Sequence, residues 1–207
     1  MMPAHVLENL EKGKSVTDRL HNVTLIFADI VGFTNWSASK KPEEIVKMLS
    51  NLFTRFDKLC VEYDVYKVHT IGDCYVVMGD VGRKNRDPSQ ECLNVLNMAY
   101  SMIEVINEEN VKHNSKLDMR IGIHTGEVIA GVIGTSIVRY DIWGPDVLIA
   151  NKMESNGTQG RVKCSEDTKL MIENRDPDGF EFEESLKIEV SVIGVTKNTY
   201  YVKRKQE

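Results

Sequence analysis

The stretch VTLIFADIVGFTNW, residues 23–36, places an acidic residue at the end of a continuous apolar run. A short apolar run of this kind is typical of a strand that is buried on both faces. Asp29 comes at the end of the run, where burying an unpaired carboxylate costs free energy. Gly32 follows in the segment IVGFT, ahead of another polar cluster. The pattern therefore predicts a strand that brings a carboxylate to one edge of a sheet, and then a glycine-containing turn that leads toward a helix.

Composition limits the class of protein. With 207 residues, the chain is long enough for one domain with its own core. Its 42% hydrophobic and 28% charged residues are ordinary for a soluble globular protein. The net charge of −5 argues against nucleic acid as a partner, because binding a phosphate backbone needs a basic face. A small anionic ligand is still compatible with this charge if local donors and metal ions hold it.

The cysteines and the apolar runs indicate a cytoplasmic domain. The four cysteines have neither a CxxC pair nor a regular spacing, which favours reduced thiols over a zinc site. No apolar run approaches the ~18 residues that a membrane-spanning helix needs. The first residues, MMPAHVLENLEKGK, suggest a fragment of a longer protein, whose upstream part could include a membrane or sensor region.

The first half of the chain predicts two long helices on either side of a hairpin. One helix should begin near Pro42, which suits a first helical turn. The other should begin at Asp87-Pro88, which reads as a cap followed by a first turn. Between them, VYKVHTI and CYVVMG flank Gly72-Asp73 as the two strands of a hairpin.

The second half predicts a further hairpin, LDMRIGIH and EVIAGVIG around Thr125-Gly126, and then the strand YDIWG and the helix PDVLIANKMES. The strand RVKCS, a helix over 166–173 and the strands EFEES and NTYYVKR follow. This order predicts an α+β domain with a largely antiparallel sheet and helices packed on one face. We assign residues 1–20 to a lead-in helix and linker, and residues 21–205 to the domain itself.

Asp29 and Asp73 are candidate metal ligands. If the hairpin pairs beside the first strand, the two carboxylates converge at one edge of the sheet, where each raises the pKa of the other. A pair of hard divalent cations removes this penalty, and oxygen ligands suit Mg²⁺ or Mn²⁺. Amides of the turn at Gly32 can cradle a phosphate, as metal-assisted phosphoryl chemistry needs. Spacing alone leaves an alternative open, in which Asp29 caps a helix and Asp73 is only a turn residue.

Four motifs carry a resemblance to a known family: FADIVGFT (27–34), TIGDCYVVMG (70–79), MRIGIHTGEVIAGVIG (119–134) and YDIWGPDVLIANKMESNG (140–157). In order and spacing they resemble the class III nucleotide cyclases, the adenylyl and guanylyl cyclase family. The resemblance implies a ferredoxin-like βαββαβ core and dimers with active sites between the protomers. It also implies conversion of ATP or GTP to the 3′,5′-cyclic nucleotide and pyrophosphate.

The resemblance assigns roles to individual residues. Asp29 and Asp73 are expected to hold two Mg²⁺ or Mn²⁺ ions, with the backbone carbonyl of Ile30 as a further ligand. Arg120 is expected to contact the phosphate tail, and its alternative is an exposed salt-bridge arginine. The backbone amides of Gly32, Phe33 and Thr34 are expected to hold the β- and γ-phosphates.

The sequence departs from the family at positions that the partner protomer supplies. Where the complementing half has an asparagine and an arginine, this chain has Leu148 and Lys152. Leucine cannot hydrogen-bond to the ribose, and Lys152 retains a catalytic charge without the fork of an arginine. The phosphate-binding lysine of the family aligns with Ile193, and Lys197 is a candidate to replace it. The chain therefore resembles the metal-bearing first half of a pseudoheterodimeric cyclase, and we expect weak or no activity without a second half.

Two further positions read the base in this family. His69 occurs where adenylyl cyclases have lysine and guanylyl cyclases have glutamate, and a neutral imidazole can donate or accept. Asp141 favours adenine, since a carboxylate accepts from the exocyclic amino group, although it can accept from guanine as well. In a heterodimer this pair would line the second, non-catalytic pocket. We expect adenylyl cyclase activity, and two alternatives stay open: a guanylyl cyclase, and a non-catalytic domain that dimerises and binds nucleotide.

Overall fold

A computed structural model describes residues 2–79, 82, 85–134 and 138–205. A 3₁₀ turn at Ser191–Ile193 connects the last two strands. The helices and strands, in chain order, are α1 (Ala4–Glu11), β1 (Thr17–Val31), α2 (Phe33–Ala38), α3 (Pro42–Glu62), β2 (Val65–Ile71), β3 (Cys74–Gly79), α4 (Pro88–His113), β4 (Asp118–Ile133), β5 (Arg139–Trp143), α5 (Pro145–Ser155), β6 (Arg161–Ser165), α6 (Glu166–Arg175), β7 (Phe180–Val190) and β8 (Val195–Arg204).

The strands form one sheet in the order β2-β3-β1-β4-β6-β8-β7, and β5 pairs with the far end of β4. Its pairs are antiparallel except for β4 with β6. The first four strands together with α3 and α4 make the βαββαβ unit of a ferredoxin-like core. The expected fold class is therefore confirmed.

Strand β1 is the centre of the core because it is paired on both edges and covered on both faces. Residues 23–28 are all buried, as the apolar run predicts. Ile26 and Ala28 face one cluster with α3 and α4, whereas Leu25 and Phe27 face a second cluster that includes Ala150 of α5. Helices α3 and α4 thus lie on one face as expected, and α5 adds a helix on the opposite face.

The predicted hairpin around Thr125-Gly126 is wrong. Strand β4 runs unbroken through both residues and pairs with β1 from Asp118 to Gly131. A Cβ on Gly126 would lie 2.3 Å from the carboxylate of Asp146 in the first turn of α5. This glycine permits the close approach of a helix rather than a reversal of the chain. The strand that does fold back on β4 is β5.

A buried histidine fixes the first turn of α5 over β4. The Nε2 of His124 lies 3.0 Å from Oδ1 of Asp146, and the amide of Glu127 donates to the other carboxylate oxygen at 2.6 Å. The Nδ1 of His124 lies 2.7 Å from the hydroxyl of Ser165, which caps α6. Because His124 is fully buried, these contacts hold α5 and α6 in a set relation to β4.

Two sequence expectations concern the ends of the chain and the membrane. The division into a lead-in segment, 1–20, and a domain, 21–205, stays a prediction, and β1 already begins at Thr17. In the described ranges, no helix combines the length and the apolarity needed to cross a bilayer.

We predict that Gly122→Ala strongly destabilises the protein. The added Cβ would lie 2.0 Å from the backbone nitrogen of Glu154, and a backbone atom in a packed helix cannot move aside cheaply. The expected loss in the free energy of unfolding is about 3 kcal/mol, measured by urea denaturation. Gly79→Ala is the matched control because its Cβ would meet the side chain of Glu91 at 3.2 Å, and it should cost less than about 1 kcal/mol. Equal losses in the two variants would contradict this account.

Candidate active site

The structure brings the two candidate metal ligands together. Asp29 lies near the end of β1, and Asp73 lies in the β2–β3 turn beside Gly72, whose φ of 61° is in the left-handed region. Strand β3 pairs with β1 in a register that opposes Ala28 to Tyr75, so the turn falls beside Asp29. Burial raises the pKa of Asp73, and the charge of Asp29 raises it further. The two carboxylates are therefore close enough to repel each other.

Arg120 lies opposite Asp29 on the neighbouring strand β4. Its Nη2 donates to Oδ2 of Asp29 at 3.2 Å, and its Nε donates to Oε1 of Glu154 at 2.6 Å. The side chain of Arg120 is 30% exposed. Arg120 is thus a partly exposed arginine held between two carboxylates, and its contact with the phosphate tail stays a prediction.

Glu154 is a site residue that the sequence analysis missed. It lies on α5 and its side chain is only 7% exposed. Burial raises its pKa, the ion pair with Arg120 lowers it, and the charges of Asp29 and Asp73 raise it again. The available signal was its position next to Met153, on the buried stripe of α5, where an acidic residue needs a partner.

The surroundings of these residues have a negative potential. Burial raises the pKa of the Cys74 thiol to about 12, and Asp29 and Glu154 add to this shift. Three carboxylates face a single guanidinium, and their oxygens are the donors that Mg²⁺ and Mn²⁺ prefer. In the described part of the chain, no three His, Cys, Asp or Glu side chains lie close enough to make a metal site by themselves. Mg²⁺ is often bound by one or two carboxylates plus substrate phosphates, and the residues present fit that mode.

The segment after β1 begins a short helix next to Asp29 in the chain. Gly32 has a φ of 84°, which lets the chain leave β1 and start α2 at Phe33. The first amides of a helix have no acceptors within the helix, and the binding of phosphates by the amides of Gly32 to Thr34 stays a prediction. Phe33 stacks on Trp36 with ring centroids 6.1 Å apart, which fixes the short helix. The side chain of Ile30 is buried, and its role as a carbonyl ligand stays a prediction.

The residues that the resemblance connects with the partner half lie on α5, in the 3₁₀ turn and on β8. Leu148 is 45% exposed on α5, and Lys152 on the same helix is exposed. Among the described residues, the ammonium of Lys152 has no ion-pair partner. Ile193 ends the 3₁₀ turn and packs half-buried against a small apolar cluster. Lys197 is already engaged, since its ammonium lies 2.7 Å from Asp167.

The structure also brings together the two positions that are expected to read the base. The Nδ1 of His69 lies 2.8 Å from Oδ1 of Asp141, and because a carboxylate only accepts, His69 is the donor. The amide of Ile142 donates to the same oxygen at 2.9 Å, and Arg139 donates to the other one. Asp141 is buried, and each of its two carboxylate oxygens accepts a hydrogen bond from within the chain. Arg139 was missed by the sequence analysis, although it stands two residues before Asp141 on the same strand.

We predict that Asp73→Asn stabilises the chain at neutral pH in the absence of metal. Since the folded state raises the pKa of Asp73 above its ordinary value of 3.8, the ionised side chain destabilises the fold at pH 7. The gain should be on the order of 0.5 kcal/mol after allowance for solvent screening, and it should disappear as the pH falls below 3.8. Urea denaturation from pH 7 to pH 3.5 checks this. A variant that is less stable than the parent at pH 7 would show that the repulsion is not significant.

Comparisons with known proteins agree with the motifs. The chain matches the family described as adenylate and guanylate cyclase catalytic domain over residues 16–204. It is 42% identical over 177 residues to Guanylate cyclase alpha of Plasmodium falciparum (isolate 3D7). This match covers 83% of this chain and 4% of that relative. The guanylate cyclase domain of RhGC from Catenaria anguillulae, solved in complex with GTP, has a TM-score of 0.80 at 28% identity. This match covers 91% of this chain and 100% of that one. The non-canonical dimeric guanylyl cyclase domain of the RhoGC fusion protein from Blastocladiella emersonii has a TM-score of 0.78 at 28% identity. This match covers 91% of this chain and 99% of that one.

The extent of these matches decides the classification. The family match spans almost the whole described fold, and it includes the strands that bear Asp29 and Arg120. This chain spans only a small part, 4%, of the Plasmodium relative, so that relative has much sequence outside the matched region. Because the family match spans most of the chain and the chain is 42% identical to this relative, the chain belongs to the adenylate and guanylate cyclase catalytic domain family.

Proposed function

We propose that this chain is the metal-bearing half of a nucleotide cyclase. It converts a purine nucleoside triphosphate to the 3′,5′-cyclic monophosphate and pyrophosphate, in a site that it shares with a second cyclase domain. The observation that carries the proposal is the meeting of Asp29, Asp73 and Arg120 at one edge of the sheet. We place the domain in the cytoplasm, where its thiols stay reduced and nucleotides are supplied.

Each of these residues has a role in the proposed reaction. Asp29, Asp73 and the carbonyl of Ile30 would hold two Mg²⁺ or Mn²⁺ ions. When bound, such ions lower the pKa of the ribose 3′-hydroxyl and neutralise the charge of the phosphates. The amides of Gly32 to Thr34 orient the β- and γ-phosphates, and Arg120 binds the phosphate tail through its fork of donors. The chain thus binds the triphosphate and presents its α-phosphorus for attack.

The second half is needed because this chain lacks part of the site. Leu148 has no donor for the ribose, and Lys152 offers a point charge instead of a bidentate fork. Both are exposed on α5, where a partner domain can cover them. A homodimer is the alternative assembly. In a homodimer Lys152, unlike Leu148, would be able to stabilise the reacting phosphate. The dimeric relative supports an assembly of two such domains.

The natural base has two candidates. Asp141 favours ATP, since it can accept from the amino group of adenine, although its oxygens are engaged by His69 and Arg139. The Plasmodium relative and the two solved domains described above are named guanylate or guanylyl cyclases, which favours GTP. In a heterodimer the partner supplies the catalytic base pocket, so His69 and Asp141 would line the second pocket. Binding of either nucleotide without turnover, even with a partner, would instead identify a regulatory domain.

We predict that the isolated chain turns over ATP and GTP weakly with Mn²⁺, and that Leu148→Asn combined with Lys152→Arg raises its activity. The two substitutions restore donors aimed at the ribose and at the reacting phosphate, and each such donor is typically worth about 3 kcal/mol. We expect a gain of at least roughly a hundredfold in cyclic nucleotide formed by the purified double variant. Adding Asp29→Asn to it should abolish the gain. High activity of the unmodified chain alone would refute the need for a second half.

We predict that base choice depends on Asp141 only when this chain supplies both halves of the site. In the Leu148→Asn, Lys152→Arg homodimer, Asp141→Asn should change the ratio of kcat/KM for ATP and GTP by roughly tenfold or more, because a carboxylate that only accepts becomes an amide. In a mixture with a complementing cyclase domain, the same substitution should leave this ratio within about twofold. A large change in both assemblies would place Asp141 in the catalytic pocket of the heterodimer.

A further inference from the structure

We propose that Arg120 is an exchangeable counter-ion of Asp29 and that Glu154 is the positioning residue that keeps it in the site. In the metal-free chain Arg120 neutralises Asp29. Metal binding at Asp29 releases the terminal N–H donors of Arg120, which can then bind the triphosphate. Metal binding and phosphate recognition are thereby coupled within one protomer. This inference rests on the proposed function, because it concerns the same metal and phosphate groups.

The two contacts of Arg120 differ in strength. Its Nε lies 2.6 Å from Glu154, which is short for a charge-assisted hydrogen bond, whereas its Nη2 lies 3.2 Å from Asp29, which is long for one. Glu154 is 7% exposed and Asp29 is 26% exposed, so water and ions reach Asp29 more easily. Of the two ion pairs, the one with Asp29 is therefore the weaker and the one that a cation can replace.

The packing around Arg120 confines its aliphatic stem. Gly157 has no Cβ, and a Cβ there would lie 3.0 Å from Cγ of Arg120. Gly122 lets the backbone of Glu154 approach β4. Because Glu154 and the aliphatic stem of Arg120 are both held and a guanidinium is a rigid plane, Nη2 can leave Asp29 only by a small rotation of the whole guanidinium about its contact with Glu154.

The exchange follows from the donor geometry of arginine. A guanidinium has five N–H donors in a planar fork, and the bond from Nε to Glu154 uses only one of them. A cation on Asp29 removes the attraction that holds Nη2 there and repels the guanidinium. The terminal donors are then free to bind an anion at the same edge of the sheet, beside the amides of Gly32 to Thr34. By linkage, a bound triphosphate that attracts Arg120 strengthens the binding of metal to Asp29 by the same factor.

The test measures Mn²⁺ binding to the nucleotide-free chain by the electron paramagnetic resonance signal of free Mn²⁺. Arg120→Met should tighten Mn²⁺ binding by roughly threefold or more, because Asp29 loses its competing partner. Glu154→Gln should weaken it by a similar factor, because Arg120 then gives its whole charge to Asp29. Circular dichroism and urea denaturation establish that each variant is folded.

Arg161→Met is the matched control. Arg161 lies opposite Arg120 on β6 and is equally exposed, 29% against 30%, but it pairs with Glu183 and not with Asp29. Loss of positive charge at this end of the sheet would tighten Mn²⁺ binding in both arginine variants, although less in Arg161→Met because β6 lies one strand farther from Asp29, whereas loss of a competing partner affects only Arg120→Met. Equal affinities in the two arginine variants, or no change in Arg120→Met, would overturn the exchange while leaving the proposed function intact.

A second measurement follows Arg120 directly. In ¹⁵N-edited NMR spectra, the Nε–H of Arg120 should remain protected from solvent exchange when Mg²⁺ is added, because Glu154 still accepts from it. Addition of inorganic tripolyphosphate with Mg²⁺ should then shift this signal further. Loss of protection on adding Mg²⁺ would overturn the role of Glu154. Failure of the parent chain to bind Mn²⁺ even with nucleotide would overturn the proposed function together with the exchange.

Discussion

The concentration of negative charge at one end of β1 is the constraint on which the rest of the site depends. Asp29 and Asp73 raise the electrostatic free energy of the folded chain, and burial of Glu154 adds to it. The fold withstands this repulsion because β1 is paired on both edges and packed on both faces. A large apolar contribution thus stabilises a local arrangement that is unfavourable by itself, as is common at functional sites.

Much of this arrangement could be predicted from the sequence. The apolar run of β1, the start of α3 at Pro42, the cap of α4 by Asp87 and the turn at Gly72-Asp73 are local features, and their chemistry is visible in a few neighbouring residues. The convergence of the two aspartates followed from one assumption about strand pairing. These predictions succeeded because propensity, pattern and turn chemistry agree in these segments.

The features that sequence analysis missed depend on contacts between distant segments. Gly126 has the composition of a turn residue, but its function is to accommodate α5, which no local pattern reveals. Glu154 has the character of a surface residue, and its burial is explained only by Arg120, which lies far away in the chain. The engagement of Asp141 by His69 likewise requires β2 and β5 to meet. Whether a polar group is free to bind a ligand is therefore a property of the tertiary structure.

The β2–β3 hairpin has an evolutionary consequence. It carries His69 on one strand and Asp73 in its turn, and His69 is tied to Asp141. A substitution at position 69 or 141 that breaks this contact removes a restraint on the hairpin that carries Asp73. The effects of mutations at these three positions are consequently expected to be non-additive. A combinatorial library for altered base selectivity should accordingly randomise them jointly instead of one at a time.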